Sequence, residues 1–341
     1  MKKQILLTGS TGSAGTATLK QLYKLTDKYG VTALAVDTKL NRKRIAPYID
    51  NVNVVYGDIR DDETIDKITK NIDFVIHLAA IIPPLADEKP DFAYQVNTVG
   101  SKKLIDGLEK NSPNAFFLYT SSISVYGDRV KEPFIRVNDP ILPSDRDEYA
   151  LTKIETEKYL QKSKLDWSIF RLSAMMGDHK MSKIMFHMPL NSGMEIITPP
   201  RVAIALVNAI EKEKELSNKI FNFAGGEKMR LTYQELLEGS FKAYGMGKVN
   251  FHEYAFAQQN FHCGYYEDGK DLEDILHFQT EDLESYFKDL HNEINPFQRA
   301  ITKPMSGIVK YFMQKQSEPL LAYKKKDEKE LLHYFGTTQL N

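Results

Sequence analysis

The chain contains 341 residues, 42% of them hydrophobic, with 45 Lys and Arg against 46 Asp and Glu. This length predicts two domains, or one large α/β domain with an appendage. The balanced charge argues against broad nucleic-acid binding, which requires a basic surface, and the single cysteine excludes an intramolecular disulfide. The sequence contains no Cys/His cluster for a metal site, no signal-peptide pattern and no apolar run of the roughly 18 residues that a transmembrane helix needs. We therefore expect a soluble, cytoplasmic protein without a bound metal.

Short apolar runs alternate with helix-like segments through the first half of the sequence. Continuous apolar strands separated by helices are typical of a parallel sheet covered on both faces. The pattern predicts an α/β fold with a Rossmann-type doubly wound parallel sheet. The predicted strands are 4–8, 31–37, 53–56, 74–78, 115–121 and 167–172, and the predicted helices are 14–29, 61–70, 91–111 and 147–163.

The second half of the sequence is less regular. Residues 173–200 are rich in methionine and show no clear period. A helix is predicted at 201–213, a strand at 219–224 and a further helix at 232–244. We interpret this region as a smaller lobe over the carboxyl edge of the sheet, with strands drawn from both regions.

A glycine-rich segment, TGSTGSAG at 8–15, lies between the first predicted strand and the first predicted helix. Glycines permit the tight turn and let the backbone approach a pyrophosphate, and the helix N-terminus offers unpaired N–H groups to that anion. The segment therefore predicts a dinucleotide site. Its expected cofactor contacts are Gly9, Thr11, Gly12, Ser13, Ala14 and Gly15.

Asp37 ends the second predicted strand, where a carboxylate can accept hydrogen bonds from the adenosine ribose. A 2′-phosphate would meet like charge there, so Asp37 favours NAD over NADP. NADP stays open because four basic residues downstream could hold the phosphate if the loop folded back: Lys39, Arg42, Lys43 and Arg44. We expect further cofactor contacts after the third and fourth strands from Asp58, Ile59, Leu78, Ala79 and Ala80. His77 is interpreted as a packed histidine at a strand end.

Tyr149 and Lys153 are four residues apart in a predicted helix and therefore share one face. A cation beside a phenol lowers the pKa of the phenol towards a range useful for proton transfer. The upstream segment TSSISVYG at 120–127 places hydroxyls at the end of the fifth strand, where one of them can hydrogen-bond a substrate carbonyl. In this order, the three motifs predict a proton-transfer site beside the cofactor.

With these motifs the chain resembles the extended short-chain dehydrogenase/reductase family, the NAD-dependent epimerase/dehydratase group. The resemblance covers about residues 1–245 and extends to Arg171, Gly177 and the segment FNFAGG at 221–226. It implies that Tyr149 is the general acid/base and that Lys153 holds the nicotinamide ribose. It also implies that Ser122 polarises the reacting carbonyl, that Asn97 shapes the active site, and that Asn97, Tyr149 and Lys153 contact the cofactor.

The segment after the sixth strand departs from the family pattern. Sugar-nucleotide members typically read Arg-Tyr-Phe-Asn-x-x-Gly-Pro, whereas this chain has RLSAMMGD at 171–178, with Ala174 in place of the asparagine. The loop 81–86 is apolar, and a diphosphate would require cationic and amide donors. We therefore expect a relatively apolar secondary alcohol or ketone as the small-molecule substrate. Its expected contacts are Ile82, Pro83, Ser122, Met175 and Met176.

Four nearby residues, Met181, Ile184, Met185 and Phe186, either add apolar surface to that site or pack the lobe interface. A nucleotide-sugar epimerase is the alternative activity, because it uses the same Ser/Tyr/Lys set. A 4,6-dehydratase is disfavoured, since the serine segment lacks the Asp-Glu pair of that group. A non-catalytic dinucleotide sensor is the third hypothesis, and the intact set of Ser122, Tyr149 and Lys153 argues against it. We expect a homodimer.

We expect three parts: an NAD(P)-binding Rossmann domain at 1–172, a substrate-binding lobe at 173–290 that is interleaved with the sheet, and a helical C-terminal extension at 291–341. In the extension, apolar residues recur at helical spacing despite Pro304, with basic residues beside them. Such a helix can lie on an anionic membrane, but packing on the rest of the chain or on a dimer mate is the preferred interpretation. The apolar stripe consists of Phe297, Ile301, Met305, Ile308 and Phe312.

Overall fold

A computed structural model describes residues 1–177 and 183–340 of the chain. Among these residues it has twelve strands, seven of which form one parallel sheet in the order β10-β7-β5-β4-β1-β2-β3, so the predicted α/β class is confirmed. The strands are β1 (Lys3–Thr8), β2 (Tyr29–Ala35), β3 (Asn53–Tyr56), β4 (Phe74–His77), β5 (Phe116–Ser122), β6 (Phe134–Ile135), β7 (Asp166–Leu172), β8 (Ala174–Met175), β9 (Gly193–Ile197), β10 (Lys219–Phe223), β11 (Arg230–Thr232) and β12 (Tyr265–Tyr266).

The helices cover both faces of the main sheet and build the C-terminal part of the molecule. They are α1 (Ser13–Tyr23), α2 (Lys39–Ile45), α3 (Asp62–Ile68), α4 (Leu85–Glu88), α5 (Pro90–Tyr94), α6 (Ser101–Asn111), α7 (Glu148–Leu160), α8 (Pro199–Asn208), α9 (Glu213–Leu216), α10 (Tyr233–Tyr244), α11 (Gly269–Leu276), α12 (Leu283–Glu293), α13 (Pro296–Gln314), α14 (Glu318–Lys325) and α15 (Glu328–Phe335). A π-helical turn, Gln95–Gly100, joins α5 to α6.

Successive residues of the central strands point to opposite faces of the sheet, and both faces are buried. In β4, Phe74 and Ile76 belong to the core beneath α1 and α8, whereas Val75 belongs to the core beneath α3 and α6. This arrangement explains why the strand has no alternation of polar and apolar residues. A third core lies in the lobe formed by β9, β11 and α10.

Several predicted boundaries shift in the structure. Helix α1 ends at Tyr23 rather than at residue 29, because Tyr29 is buried and pairs with Lys3 as the first residue of β2. Strand β2 ends at Ala35, so Asp37 lies in the loop beyond the strand. The predicted helix 91–111 is interrupted by the π-helical turn.

Two residues of the methionine-rich segment are part of the lobe core. Met185 and Phe186 are buried in the third core, so they pack the lobe and add no apolar surface to the substrate site. Met181 lies outside the described residues. Strand β10 of this region joins β7 and completes the main sheet. The three-part division at 172 and 290, with a lobe interleaved with the sheet, stays a proposal.

The C-terminal helices make two kinds of contact. Helices α14 and α15 form a small core with Ala257, which contains Ala322, Leu331 and Phe335. Helix α13 packs Val309 and Met313 against the lobe core, and its opposite side is exposed. Among the described residues, no helix has the length and apolar character to cross a membrane.

Candidate active site

The glycine loop lies between the end of β1 and the start of α1, against the residues that follow β4. Gly9 has a φ of 69°, and a Cβ there would lie 2.6 Å from the backbone nitrogen of Ala79. A Cβ on Gly15 would lie 1.9 Å from the carbonyl oxygen of Gly9. A side chain at either position would overlap the backbone, so packing by itself already requires glycine at both.

Gly12 differs from these two glycines. A Cβ there would meet only the Gly9 carbonyl oxygen, at an ordinary contact distance of 3.5 Å. Gly12 is also the N-cap of α1, and no side chain caps that helix end. The first N–H groups of α1 are thus left for an anion, and the absence of a side chain at Gly12 opens the approach to them.

The loop after β2 holds Asp37 in an ion pair. Arg42 donates from Nε and Nη2 to the two carboxylate oxygens of Asp37 at 2.6 and 2.8 Å, and the hydrogen bonds lower the pKa of that carboxyl. Arg44 donates to the carbonyl oxygen of Thr11 at 2.7 Å and so ties this loop to the glycine loop. Two of the four basic residues near the adenosine position therefore already have partners within the chain.

The loops after β3 and β4 supply the remaining expected cofactor contacts. Both carboxylate oxygens of Asp58 accept hydrogen bonds from the Arg60 guanidinium, at 2.9 and 2.6 Å. The Ile59 side chain is buried in the core below the sheet, so only its backbone faces the expected site. Leu78, Ala79 and Ala80 are partly exposed and lie beside the glycine loop.

His77 is buried at the end of β4, which confirms its interpretation as a packed histidine. Its Nδ1 lies 2.6 Å from the Thr8 hydroxyl and its Nε2 lies 2.8 Å from the Ser101 hydroxyl. Burial lowers the pKa of His77 to about 3, so the ring is neutral at pH 7. The histidine thereby joins β1, β4 and α6 at the edge where the site lies.

The predicted proton-transfer residues come together between the end of β5 and the first turns of α7. The Ser122 hydroxyl lies near the Tyr149 phenol and acts to lower the pKa of that phenol. The Lys153 ammonium is buried, donates to the Thr120 carbonyl oxygen at 2.8 Å, and lies 5.6 Å from the centre of the Tyr149 ring. The three residues named from the sequence therefore form one cluster.

The protonation states of this cluster differ from the expectation. Burial raises the pKa of Tyr149 well above its usual value, although the nearby Ser122 hydroxyl opposes the shift. Burial lowers the pKa of Lys153 to about 7, with Glu157 acting in the opposite direction. The expected lowering of the phenol pKa is thus wrong, because the loss of water around the buried phenol raises the pKa.

Asn97 lies in the π-helical turn and is buried. Its amide donates to the carbonyl oxygen of Ile81 at 2.9 Å and to the Thr152 hydroxyl at 3.1 Å, and its side-chain oxygen accepts from the Ile81 N–H at 2.7 Å. Asn97 therefore joins the loop after β4 to helix α7, which it contacts at Thr152, the residue before Lys153.

A buried ion pair fixes helix α7 to the sheet. Arg171 of β7 donates to both carboxylate oxygens of Glu157, at 3.1 and 2.8 Å, and also to the Tyr126 hydroxyl at 2.8 Å. Breaking a pair of this kind leaves an uncompensated charge in the interior. The orientation of α7, and with it that of Tyr149, depends on this contact.

The expected substrate residues do not form a single apolar surface. Ile82 is exposed, and Pro83 is partly buried beside it in a loop with a cis bond between Pro83 and Pro84. Met175 packs against the core beneath α1, whereas Met176 packs against the lobe core. Of the five expected contacts, Ser122 lies at the end of β5 and Ile82 is the most exposed apolar residue.

The sequence analysis missed the contacts that hold the start of α7. Asp147 caps the helix by accepting from the Ala150 N–H, and its other carboxylate oxygen lies 2.8 Å from Nδ1 of His262. Arg146 donates to the Glu330 carboxylate of α15 at 2.9 Å. The Asp147 position before a helix was a recognisable capping signal, but no sequence pattern pairs it with His262.

The residues present fit a bound dinucleotide on two observations. The α1 N-terminus is uncapped behind a loop in which Gly12 is not needed for packing. Thr120 Oγ1 and Ser121 Oγ, at the end of β5, are buried and have no hydrogen-bond partner in the part of the chain that the structure describes. Buried hydroxyls are normally paired, so both observations point to a polar ligand along this edge.

A parallel sheet with a glycine loop at its carboxyl edge defines a Rossmann-type protein. Residues 5–194, more than half of the chain, match the model of the NAD dependent epimerase/dehydratase family. The chain belongs to this family.

Curated relatives match only parts of their own length. D-erythronate dehydrogenase of Haemophilus influenzae is 27% identical over 134 residues, which are 39% of this chain and 42% of the relative. UDP-glucose 4-epimerase of Vibrio cholerae is 33% identical over 169 residues, 47% of each chain. The chain thus spans less than half the length of these relatives.

Solved structures share the fold over most of the chain. UDP-glucuronic acid 4-epimerase from Bacillus cereus, in complex with UDP-glucuronic acid and NAD, has a TM-score of 0.70 at 20% identity and covers 85% of this chain and 98% of its own. The dTDP-glucose 4,6-dehydratase DesIV from Streptomyces venezuelae, with NAD bound, has a TM-score of 0.69 at 19% identity, covering 85% of this chain and 96% of its own. At these identities the likeness supports the fold.

Proposed function

We propose that the chain is an NAD-dependent oxidoreductase of the extended short-chain dehydrogenase type. It transfers a hydride at a secondary alcohol or ketone of a relatively apolar small molecule. The observation that carries this proposal is the cluster of Ser122, Tyr149 and Lys153 at the end of β5. Family membership supports it independently.

The roles of the three residues follow from their environment. Burial keeps the Tyr149 phenol protonated at pH 7, the form that gives a proton to a carbonyl oxygen. Ser122, whose hydroxyl lies near that phenol, donates a second hydrogen bond to the same oxygen. Lys153 holds the ribose hydroxyls from its buried position below Tyr149, and Asn97 positions α7. The chemistry that NAD supplies when bound is hydride transfer at its nicotinamide ring.

NAD is the proposed cofactor in preference to NADP. Asp37 stays ionised because its pKa is lowered, and its charge disfavours a 2′-phosphate. Arg42 partly offsets that charge and Arg44 is held by Thr11, so neither guanidinium is free to bind a phosphate without losing a partner. Separate fluorescence titrations with NADH and NADPH test this choice, and tighter binding of NADPH would contradict it.

The proposed substrate class rests on the residues beside Ser122. Ala174 offers no polar group where sugar-nucleotide members have an asparagine, and Ile82 presents an exposed apolar side chain. A panel of lipophilic ketones with NADH tests this class. Consumption of NADH with at least one of them supports the proposal, whereas consumption with none contradicts it.

A nucleotide-sugar 4-epimerase is the second candidate. The similarity to UDP-glucose 4-epimerase of Vibrio cholerae favours it, and it uses the same three residues. Conversion of UDP-sugars without net change in NADH would establish the epimerase and exclude the ketone reductase. The homodimer expected from the sequence stays a prediction, and analytical ultracentrifugation of the chain tests it.

Tyr149→Phe is the test of the catalytic proposal. We expect turnover to fall at least about 100-fold, because the proton donor is lost, while NADH affinity stays unchanged. Tyr159→Phe on the same helix is the matched control, since the Tyr159 hydroxyl bonds Asp106 at the surface. Equal turnover in Tyr149→Phe and the control would refute the mechanism.

A further inference from the structure

Helix α13 presents a large apolar surface to solvent. Six large apolar residues on it are 45–73% exposed: Phe297, Ile301, Met305, Ile308, Tyr311 and Phe312. At about 100° per residue, Phe297, Ile301, Ile308 and Phe312 fall within a sector of about 60°. The stripe does not pack on the rest of the chain, because Val309 and Met313 make that contact, whereas the other part of the preferred interpretation, packing on a dimer mate, stays a prediction.

The charge on this helix has one sign. Between Pro296 and Gln314 the sequence has three basic residues, Arg299, Lys303 and Lys310, and no acidic residue. Arg299 donates to the Ala243 carbonyl oxygen and Lys310 to the Lys248 carbonyl oxygen. Because these acceptors are neutral, both positive charges remain uncompensated.

Lys315, directly after the helix, extends the apolar face at its C-terminal end. Its ammonium lies 4.6 Å from the centre of the Tyr311 ring and 5.7 Å from that of Phe312. A lysine whose stem lies along exposed aromatic rings carries its charge at the edge of the apolar surface. The face thus combines apolar side chains, a tyrosine and cations.

A second copy of the chain fits this face poorly. In a two-fold contact the same patch meets itself, so two helices without acidic residues would approach each other and their cations would repel. An anionic lipid surface fits both properties, because its acyl region takes the apolar side chains and its headgroups take the cations.

We propose that the exposed face of α13 binds the surface of an anionic lipid bilayer, with the helix lying in the plane of the interface. Phe297, Ile301, Ile308 and Phe312 enter the apolar boundary, and Lys315 at the edge of the face reaches the headgroups. This contact requires no spanning helix, and none is present among the described residues. It does not depend on the catalytic proposal.

Co-sedimentation of the full chain with vesicles tests the proposal. We expect binding to vesicles of phosphatidylcholine with about 40% phosphatidylglycerol, and weak binding to pure phosphatidylcholine, because each lysine near an anionic surface strengthens binding about fivefold. Ile308→Glu should lower the partition coefficient between vesicles and water at least about tenfold, since it puts a charge where the proposal places an apolar side chain in the bilayer. Lys315→Gln should lower it about fivefold on anionic vesicles only.

Ile49→Glu is the matched control, because Ile49 and Ile308 are both 57% exposed. We expect this variant to bind vesicles as the unchanged chain does, and thermal melting of every variant establishes that it is folded. Failure of the unchanged chain to sediment with anionic vesicles would overturn the proposal. Equal loss in Ile308→Glu and Ile49→Glu would overturn it as well, as would a concentration-dependent dimer that Ile308→Glu dissociates.

Discussion

The cofactor side and the substrate side of the candidate site are held by different kinds of contact. On the cofactor side, the end of β1 meets the residues directly after β4, where Gly9 and Ala79 are in backbone contact. On the proposed substrate side, where the C-terminal helices dock, the contacts join residues 131 to 188 positions apart, from His187 with Glu318 to Asp145 with His333. Short motifs fix the first side, whereas the C-terminal helices fix the second.

The difference has a consequence for how each side responds to change. The cofactor side rests on backbone geometry and buried groups, where a single added methyl group must displace main chain. The substrate side rests on partly exposed ion pairs, which contribute little individually because water screens them. Substitutions on the cofactor side should therefore have larger effects.

The glycine loop offers the largest contrast. Gly15→Ala should lower the free energy of unfolding by about 1–3 kcal/mol, because the new Cβ would overlap the Gly9 carbonyl. Gly12→Ala should change the free energy of unfolding by no more than about 0.5 kcal/mol, since its Cβ has room. The same variant should weaken NAD binding at least about tenfold, because the new methyl group blocks the approach to the N-terminus of α1. Urea unfolding and calorimetric titration measure the two effects. Unchanged NAD affinity in Gly12→Ala would contradict the proposed pyrophosphate position.

Lys153 gives the next effect, through pH. Its pKa is about 7 in the folded chain and 10.5 ordinarily, so between these values the unfolded chain binds more protons. Stability should therefore rise with pH in that window, by about 1.5 kcal/mol from pH 7 to pH 8.5. In Lys153→Met this contribution is lost. Urea unfolding of both proteins at the two pH values measures the difference, and identical pH dependence would show that the lysine is not buried.

Glu318 tests the substrate side and should give the smallest effect. Its carboxylate lies 3.1 Å from the Lys183 ammonium and 2.6 Å from Nε2 of His187, and it is partly exposed. Glu318→Gln should cost no more than about 1 kcal/mol of stability. It should raise the KM of a converted substrate up to about fivefold, with kcat and NAD affinity unchanged. Glu328→Gln, at an exposed glutamate of α15, is the control and should leave KM unchanged. If Glu318→Gln changed the NAD affinity instead of the KM, the distinction between the two sides would be contradicted.

The sequence predicted the strand, loop and helix around the glycine segment well because this information is local. The strand–loop–helix order identifies the glycine loop, and the spacing of Tyr149 and Lys153 places both on one face of α7. Strand β10 lies next to β7 at one edge of the main sheet. The direction of the Tyr149 pKa shift was wrong, because it depends on burial, which spacing does not report.

The substrate side could not be predicted because its partners are remote in the sequence. His262 was treated as an isolated histidine, and only the fold brings it to Asp147. Glu318 and Glu330 carry no motif, and their roles depend on how α14 and α15 dock. Met185, for which the sequence left both a substrate-site and a packing role open, is a core residue, since an apolar residue in an irregular segment has no period to show which way it faces.

A structure of the chain with NAD bound is the most direct test of the central claim, that the carboxyl edge of this sheet is an NAD-dependent catalytic site. We expect the pyrophosphate at the N–H groups after Gly12 and the ribose hydroxyls within about 2.7–3.2 Å of the Lys153 ammonium. The nicotinamide ring should then lie beside the Tyr149 hydroxyl. A cofactor bound elsewhere, or a nicotinamide ring directed away from Tyr149, would contradict the claim.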